Sequence, residues 1–181
     1  MPAESYLALV IREMQRTKKM ADRAIAQLPP DGLFVRLAPG DNSIATIIKH
    51  VSGNMGSRWK DFLTTDGEKP GRNRDEEFVH LPDDTAETIL AQWEKGWATL
   101  FEALTPLTDA DLGRIVTIRG EPLTVLQAIN RQFTHYPYHT GQIIFIAKHL
   151  AGSNWQTLTI PLGGSAAFNL APKKYLPEAK A

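Results

Sequence analysis

Two histidines, His135 and His139, stand four residues apart in a stretch of the 181-residue chain that reads as helix. Four residues advance an α-helix by about one turn, roughly 6 Å along the axis and 40° around it. The two imidazoles therefore leave one face and can meet at one ion, since nitrogen ligands sit about 2 Å from a zinc-like metal. The same spacing also describes an ordinary surface pair. A third histidine, His50, lies between Ile47 and Val51 and borders the apolar stripe of another helix. An inward imidazole is costly to bury unless its ring nitrogens find partners. Two readings follow: a core histidine bonded to a backbone carbonyl, or a third ligand reaching the pair from a facing helix, as bundle cores often provide. His80, in a charged loop before Pro82, and His149, ten residues past His139 and rotated off its face, read as solvated.

Zinc proteases carry glutamate directly after the first histidine of such a pair; here that position is Tyr136, which speaks against proteolysis. An ion held by three neutral imidazoles keeps its full charge and open coordination positions. Such an ion lowers the pKa of bound water or holds and activates a thiolate, itself a good metal ligand. Asn54, one turn after His50, and Gln142, three residues after His139, can orient ligands or touch substrate, or can simply be polar residues at a helix edge. Arg58, eight residues after His50, together with Arg72 and Arg74, can receive a carboxylate. The alternative is a loop-pinning network with Asp61, Asp66, Asp75, Glu76 and Glu77, and we read these arginines as structural in that sense. Trp93 and Trp97, four apart, read as core.

The elements that must position these residues follow from apolar periodicity. Leu7, Val10, Ile11, Met14, Ala21, Ile25 and Leu28 form one stripe over residues 5–28, stopped by Pro29-Pro30. Asn42 or Ser43 can cap a second helix whose stripe runs from Ile44 to Phe62 and ends by Thr65, ahead of the Asp66-Gly67 turn. Gly53 and Gly56 weaken that helix by about 1 kcal/mol each relative to Ala, so close packing or a ligand is the expected reason for them. A long charged connection over residues 68–81 precedes a third helix, capped by Asp83 or Asp84 and reaching Leu104. Ile115 to Ile118 and Leu123 flank Arg119-Gly120-Glu121, either a short hairpin or an irregular crossover; we expect the crossover. A fourth helix spans about Thr124 to Leu150, with Val125, Leu126, Ile129, Phe133, Ile143, Ile146 and Leu150 inward, and with a kink expected at Pro137. The segment after Gly152 reads as an ordered extension rather than a fifth core helix. The architecture expected is all-α, a four-helix bundle formed by residues 1–181 as a single domain.

Composition limits the partners. The apolar fraction of 43% is that of a globular protein. Lys plus Arg and Asp plus Glu number 20 each, which argues against nucleic acid as the main partner. There are no cysteines, so any tightly held transition metal must use His, Asp or Glu. No apolar stretch approaches the roughly 20 residues of a membrane span and no signal pattern opens the chain, so a cytoplasmic protein is expected.

The chain resembles the DinB/YfiT-like superfamily of metal-dependent four-helix-bundle proteins. The resemblance rests on His50 and on the string His135-Tyr136-Pro137-Tyr138-His139-Thr140-Gly141-Gln142-Ile143, and covers nearly the whole chain in helix order and spacing. The segment from Ser57 to Pro70, with Arg72, Arg74 and Asp75, and the tail from Ile160-Pro161 through Phe168-Asn169 look like an uncharacterised branch of it. The resemblance implies a His50, His135 and His139 site for a divalent ion such as nickel or zinc, and a homodimer. It also implies a low-molecular-weight thiol as co-substrate for an S-transferase or isomerase acting on an electrophilic substrate. A metal-assisted hydrolase and a non-catalytic metal-binding or interaction domain are the alternatives. Pro137 departs from the family pattern and puts the angle between His135 and His139 in question.

Overall fold

A computed structural model describes residues 4–171, and among them lie five α-helices, four short 3-10 turns and one two-stranded sheet. Helix α1 (Tyr6–Ile25) begins where the Ser5 hydroxyl accepts the Ala8 N–H, and it buries Leu7, Val10, Met14, Ala21 and Ala24. Helix α2 (Ile44–Trp59) is capped in the same way by Ser43 on the Thr46 N–H. Fourteen of its sixteen residues are buried, so its polar side chains, Lys49, His50, Asn54, Ser57 and Arg58 among them, must find partners inside the protein. Helix α3 (Ala86–Leu104) packs on α2, while α1 packs on α4 (Val125–Ala151). Gly96 allows the α2–α3 approach: a Cβ there would lie 3.0 Å from the Ser52 Cα. Trp93 and Trp97 are core, with rings 5.4 Å apart edge to face, and Trp93 Nε1 donates to Asp22.

Several boundaries differ from the sequence expectation. Helix α2 stops at Trp59, inside the expected bound of Thr65 but short of Phe62, where the expected stripe ended. Lys60 is extended, Asp61 turns left-handed at φ 51°, and Thr65 closes the turn on the Asp61 carbonyl; Phe62 is nonetheless buried, from the loop. Helix α3 is capped by Thr85, which forms a reciprocal box with Thr88. Asp84 is occupied elsewhere, accepting from Lys49 Nζ at 2.6 Å and from the Leu81 N–H. The connection over residues 68–81 carries a 3-10 turn, Asp75–Phe78. Leu126 faces outward at 36% exposure.

The expected irregular crossover before α4 is a hairpin, β1 (Ile115–Ile118) antiparallel to β2 (Glu121–Thr124). Arg119 and Gly120 both have positive φ, 59° and 74°, as a two-residue turn matched to strand twist requires. The turn is held from outside, because the Asp66 carboxylate accepts the N–H groups of Arg119 and Gly120, each at 2.8 Å. These bonds and that from the Glu68 N–H lower the Asp66 pKa to about 2. Gly67 then donates to the Thr117 carbonyl at 2.7 Å, an approach that a Cβ 3.0 Å from Ile118 Cγ1 would crowd.

Helix α4 is continuous through Pro137. Beyond it, Trp155 and Leu158 pack partly buried against the core, and Arg23 of α1 and Gln27 just past its end bind the backbone of Leu158 and Gln156. Helix α5 (Ser165–Leu170) buries none of its residues. No helix of the described residues is long and apolar enough to cross a membrane.

Candidate metal centre

The α2–α4 contact brings His50 to the two histidines of α4. His50 Nε2 lies 3.3 Å from His135 Nε2, and His139 Nε2 lies 3.1 Å from the same atom. All three ligand atoms fall within 4.8 Å of one another. Two nitrogens bound at about 2.1 Å with a tetrahedral angle between them are separated by roughly 3.4 Å, so the His50–His135 and His135–His139 spacings suit a shared ion. Pro137 does not part the α4 pair, whose ring centroids are 4.7 Å apart.

The outer ring nitrogens explain why the inner ones point at each other. His50 Nδ1–H donates to Glu77 Oε2 at 2.9 Å, and His139 Nδ1–H donates to Gln142 Oε1 at 2.7 Å. A proton committed to Nδ1 leaves a lone pair on Nε2. Lone pairs converging at these separations repel unless a cation or a shared proton lies between them, which is the test the donor set passes for a metal. Burial, with the neighbouring histidines adding to it, pushes His135 down to about 3, and burial likewise lowers His139. Both rings are therefore neutral, the form that binds metal. His135 Nδ1 is buried without a partner among the described residues.

Glu77 is the residue that sequence reasoning missed in this role. It is tied to Arg72 twice, through Nε at 2.7 Å and Nη2 at 2.9 Å. Burial works to raise its pKa, but the hydrogen bonds from His50 and Arg72 outweigh it and keep the carboxyl below the usual range. Gly53 makes room, since a Cβ there would sit 2.2 Å from Glu77 Oε1. The glycine in mid-helix was the available signal, pointing to a close approach without saying of what. Phe78 lies against His50, with ring centroids 5.0 Å apart, and Arg74 stacks over Phe78.

The other candidates fall as follows. Asn54 makes no hydrogen bond to a histidine among the described residues; its Oδ1 accepts from the buried Tyr136 OH, which in turn receives Trp59 Nε1–H. Burial raises the Tyr136 pKa. Arg58 bonds the Gly67 carbonyl and Glu68, and Glu68 also receives Arg119. The pinning network thus uses Glu68 and Glu77 as arginine partners and Asp66 as a backbone acceptor, while Asp61, Asp75 and Glu76 pair with none of these arginines. His149 is exposed, and His80 bonds the Ser43 hydroxyl at 3.1 Å, away from the triad. A cleft of about 500 Å³ lined by Asn54, Arg58, Arg131, Gln132, His135 and Tyr138 reaches the triad. A larger cavity of about 820 Å³, bordered by Gly53, Gly56, Arg72 and Glu77, touches none of the three histidines.

Fold and site together define a mostly helical protein with three histidines arranged so that they can hold a metal ion. The chain belongs to the family described as Protein of unknown function (DUF1572), whose pattern matches residues 2–164. No curated protein matches it.

Proposed function

We propose that the protein is a metal-dependent enzyme in which His50, His135 and His139 hold one divalent ion, nickel or zinc, through Nε2. The observation that carries this reading is the orientation of the rings: Nδ1 of His50 and of His139 is bonded outward, and Nε2 of each faces His135 Nε2 at 3.1–3.3 Å. Imidazole donors suit both metals. In this reading the four long helices are a DinB/YfiT-type four-helix bundle, and the chemistry is small-thiol-dependent S-transfer or isomerisation. The sequence resemblance supports that class, as does the cleft beside His135, which leaves space for a substrate next to the ion.

The bound ion supplies positive charge that favours a thiolate over its thiol. The protein's own part is positioning. Glu77, clamped by Arg72, fixes the His50 ring and makes it a stronger donor; Gln142 does the same for His139. Tyr136 holds the Asn54 amide at the mouth of the cleft. The family resemblance adds a homodimer, which sedimentation measures directly.

The test has two parts. Elemental analysis of His50→Ala, His135→Ala and His139→Ala proteins should show bound metal strongly reduced, and that of His149→Ala should match the parent; equal metal in all would end the metal reading. Metal-loaded protein is then assayed with several cellular thiols and an electrophile. Thiol-dependent turnover is expected, whereas metal-dependent turnover without thiol points to hydrolysis instead.

A further inference from the structure

The cleft between the C-terminal part of α2 and the middle of α4 has a composition that the metal site alone does not explain. Its lining contains two arginines and no carboxylate. Three of its residues are at least nine-tenths buried: Gln132 at 3% exposure, Arg58 at 6% and Asn54 at 7%. We propose that this cleft binds the carboxylate group of a small organic acid, seated against Arg58, Asn54 and Arg131 beside His135.

Donor capacity remains on these side chains. Arg58 commits Nη1 to the Gly67 carbonyl and Nη2 to Glu68, which fixes the guanidinium and leaves Nε buried with no partner among the described residues. Glu68 is shared with Arg119 and approached by Arg72, so it does not neutralise Arg58 alone. Asn54 accepts the Tyr136 OH at Oδ1, which turns its NH₂ away from Tyr136, and that NH₂ has no partner among the described residues. Arg131, at the exposed rim, makes no ion pair among the described residues. His135 Nδ1 is a further unpartnered buried atom of the lining, and it carries a proton if Nε2 faces an ion; only this one donor rests on the metal reading. Gln132 Oε1, also buried and unpartnered, adds one acceptor that suits a hydroxyl or N–H elsewhere on the ligand.

A few N–H donors and one exposed arginine match a singly charged planar group. Phosphate is met by helix N-termini or nests of backbone amides, and the cleft is lined by side chains from the C-terminal part of α2 and the middle of α4, with no helix N-terminus among them.

The test is an NMR titration of the full-length protein with ¹⁵N-labelled arginine, zinc-loaded and again after chelation, using sodium succinate at constant ionic strength. Saturable shifts of the Arg58 and Arg131 Nε–H resonances are expected in both states. Loss of one charge-assisted hydrogen bond should weaken binding about tenfold in Arg131→Gln, an exposed site where folding is not at stake. Asn54→Asp, with the same shape and a negative charge, should bind at least as weakly. Equal shifts with neutral succinamide, tighter binding of inorganic phosphate at the same resonances, or unchanged affinity in both variants would overturn the proposal. Zinc content of the same samples separates the two ideas: succinate binding by a protein unable to retain zinc sinks the metal reading alone, and zinc binding without succinate binding sinks this one alone.

Discussion

Replacing Gly53 by Ala tests the metal centre without touching a ligand or a charge. The new Cβ would lie 2.2 Å from Glu77 Oε1 and 2.9 Å from Glu77 Cδ. To reach ordinary contact the carboxylate must retreat by roughly 1.2 Å, enough to break its 2.9 Å hydrogen bond to His50 Nδ1. Loss of such an outer partner lowers metal affinity about 10- to 100-fold, or about 1.4–2.7 kcal/mol. Alanine improves the helix by up to about 1 kcal/mol, but the displaced carboxylate is buried and clamped by Arg72, so the metal-free fold should lose some stability as well. The assay is a competitive zinc titration against a chromophoric chelator, paired with denaturant unfolding of the metal-free protein. Unchanged zinc affinity would refute the link from Gly53 through Glu77 to His50.

Three further outcomes are expected. His135, lowered to about 3, and His139, also lowered, are neutral in the folded protein while unfolded histidine takes a proton near 6.5. Their effect on stability is therefore nil above about 6.5, and the metal-free protein loses stability as pH falls from there toward 3; thermal midpoints in chelator should show this slope, reduced in His135→Ala. Asp66→Asn should lower the thermal midpoint at neutral pH. Because the Asp66 pKa is depressed to about 2, the gap from the parent should persist above about 3.9 and close as pH falls toward 2. Tyr136→Phe removes the hydroxyl joining Trp59 Nε1 to Asn54 Oδ1 in a fully buried setting, and should cost about 1–3 kcal/mol in denaturant unfolding.

Much of the helical layout is legible in the chain because it depends on neighbours three and four residues away. The stripes of α1, α2, α3 and α4 and the serine caps at Ser5 and Ser43 are local facts. The pairing of His135 with His139 is equally local, since one turn of helix sets it. The end of α2 is less local: Phe62 continues the apolar period and is buried, yet the helix has already stopped at Trp59. The hairpin turn at Arg119-Gly120 lacks a strong sequence signal because its stabiliser, Asp66, stands more than fifty residues earlier. Glu77 looked like one more loop carboxylate among Asp75 and Glu76.

What the amino-acid sequence determines by itself, then, is which faces are apolar and which polar residues share a helical turn; periodicity and capping are short-range interactions. Whether His50 meets the α4 pair, whether Glu77 finds His50 or solvent, and which donors of Asn54 and Arg58 stay unspent were decided only by tertiary packing. The contacts of His50 with Glu77 and His135 and of Asn54 with Tyr136 join residues 27 to 85 positions apart, and no local propensity reports the distance between two helices until their side chains have interlocked.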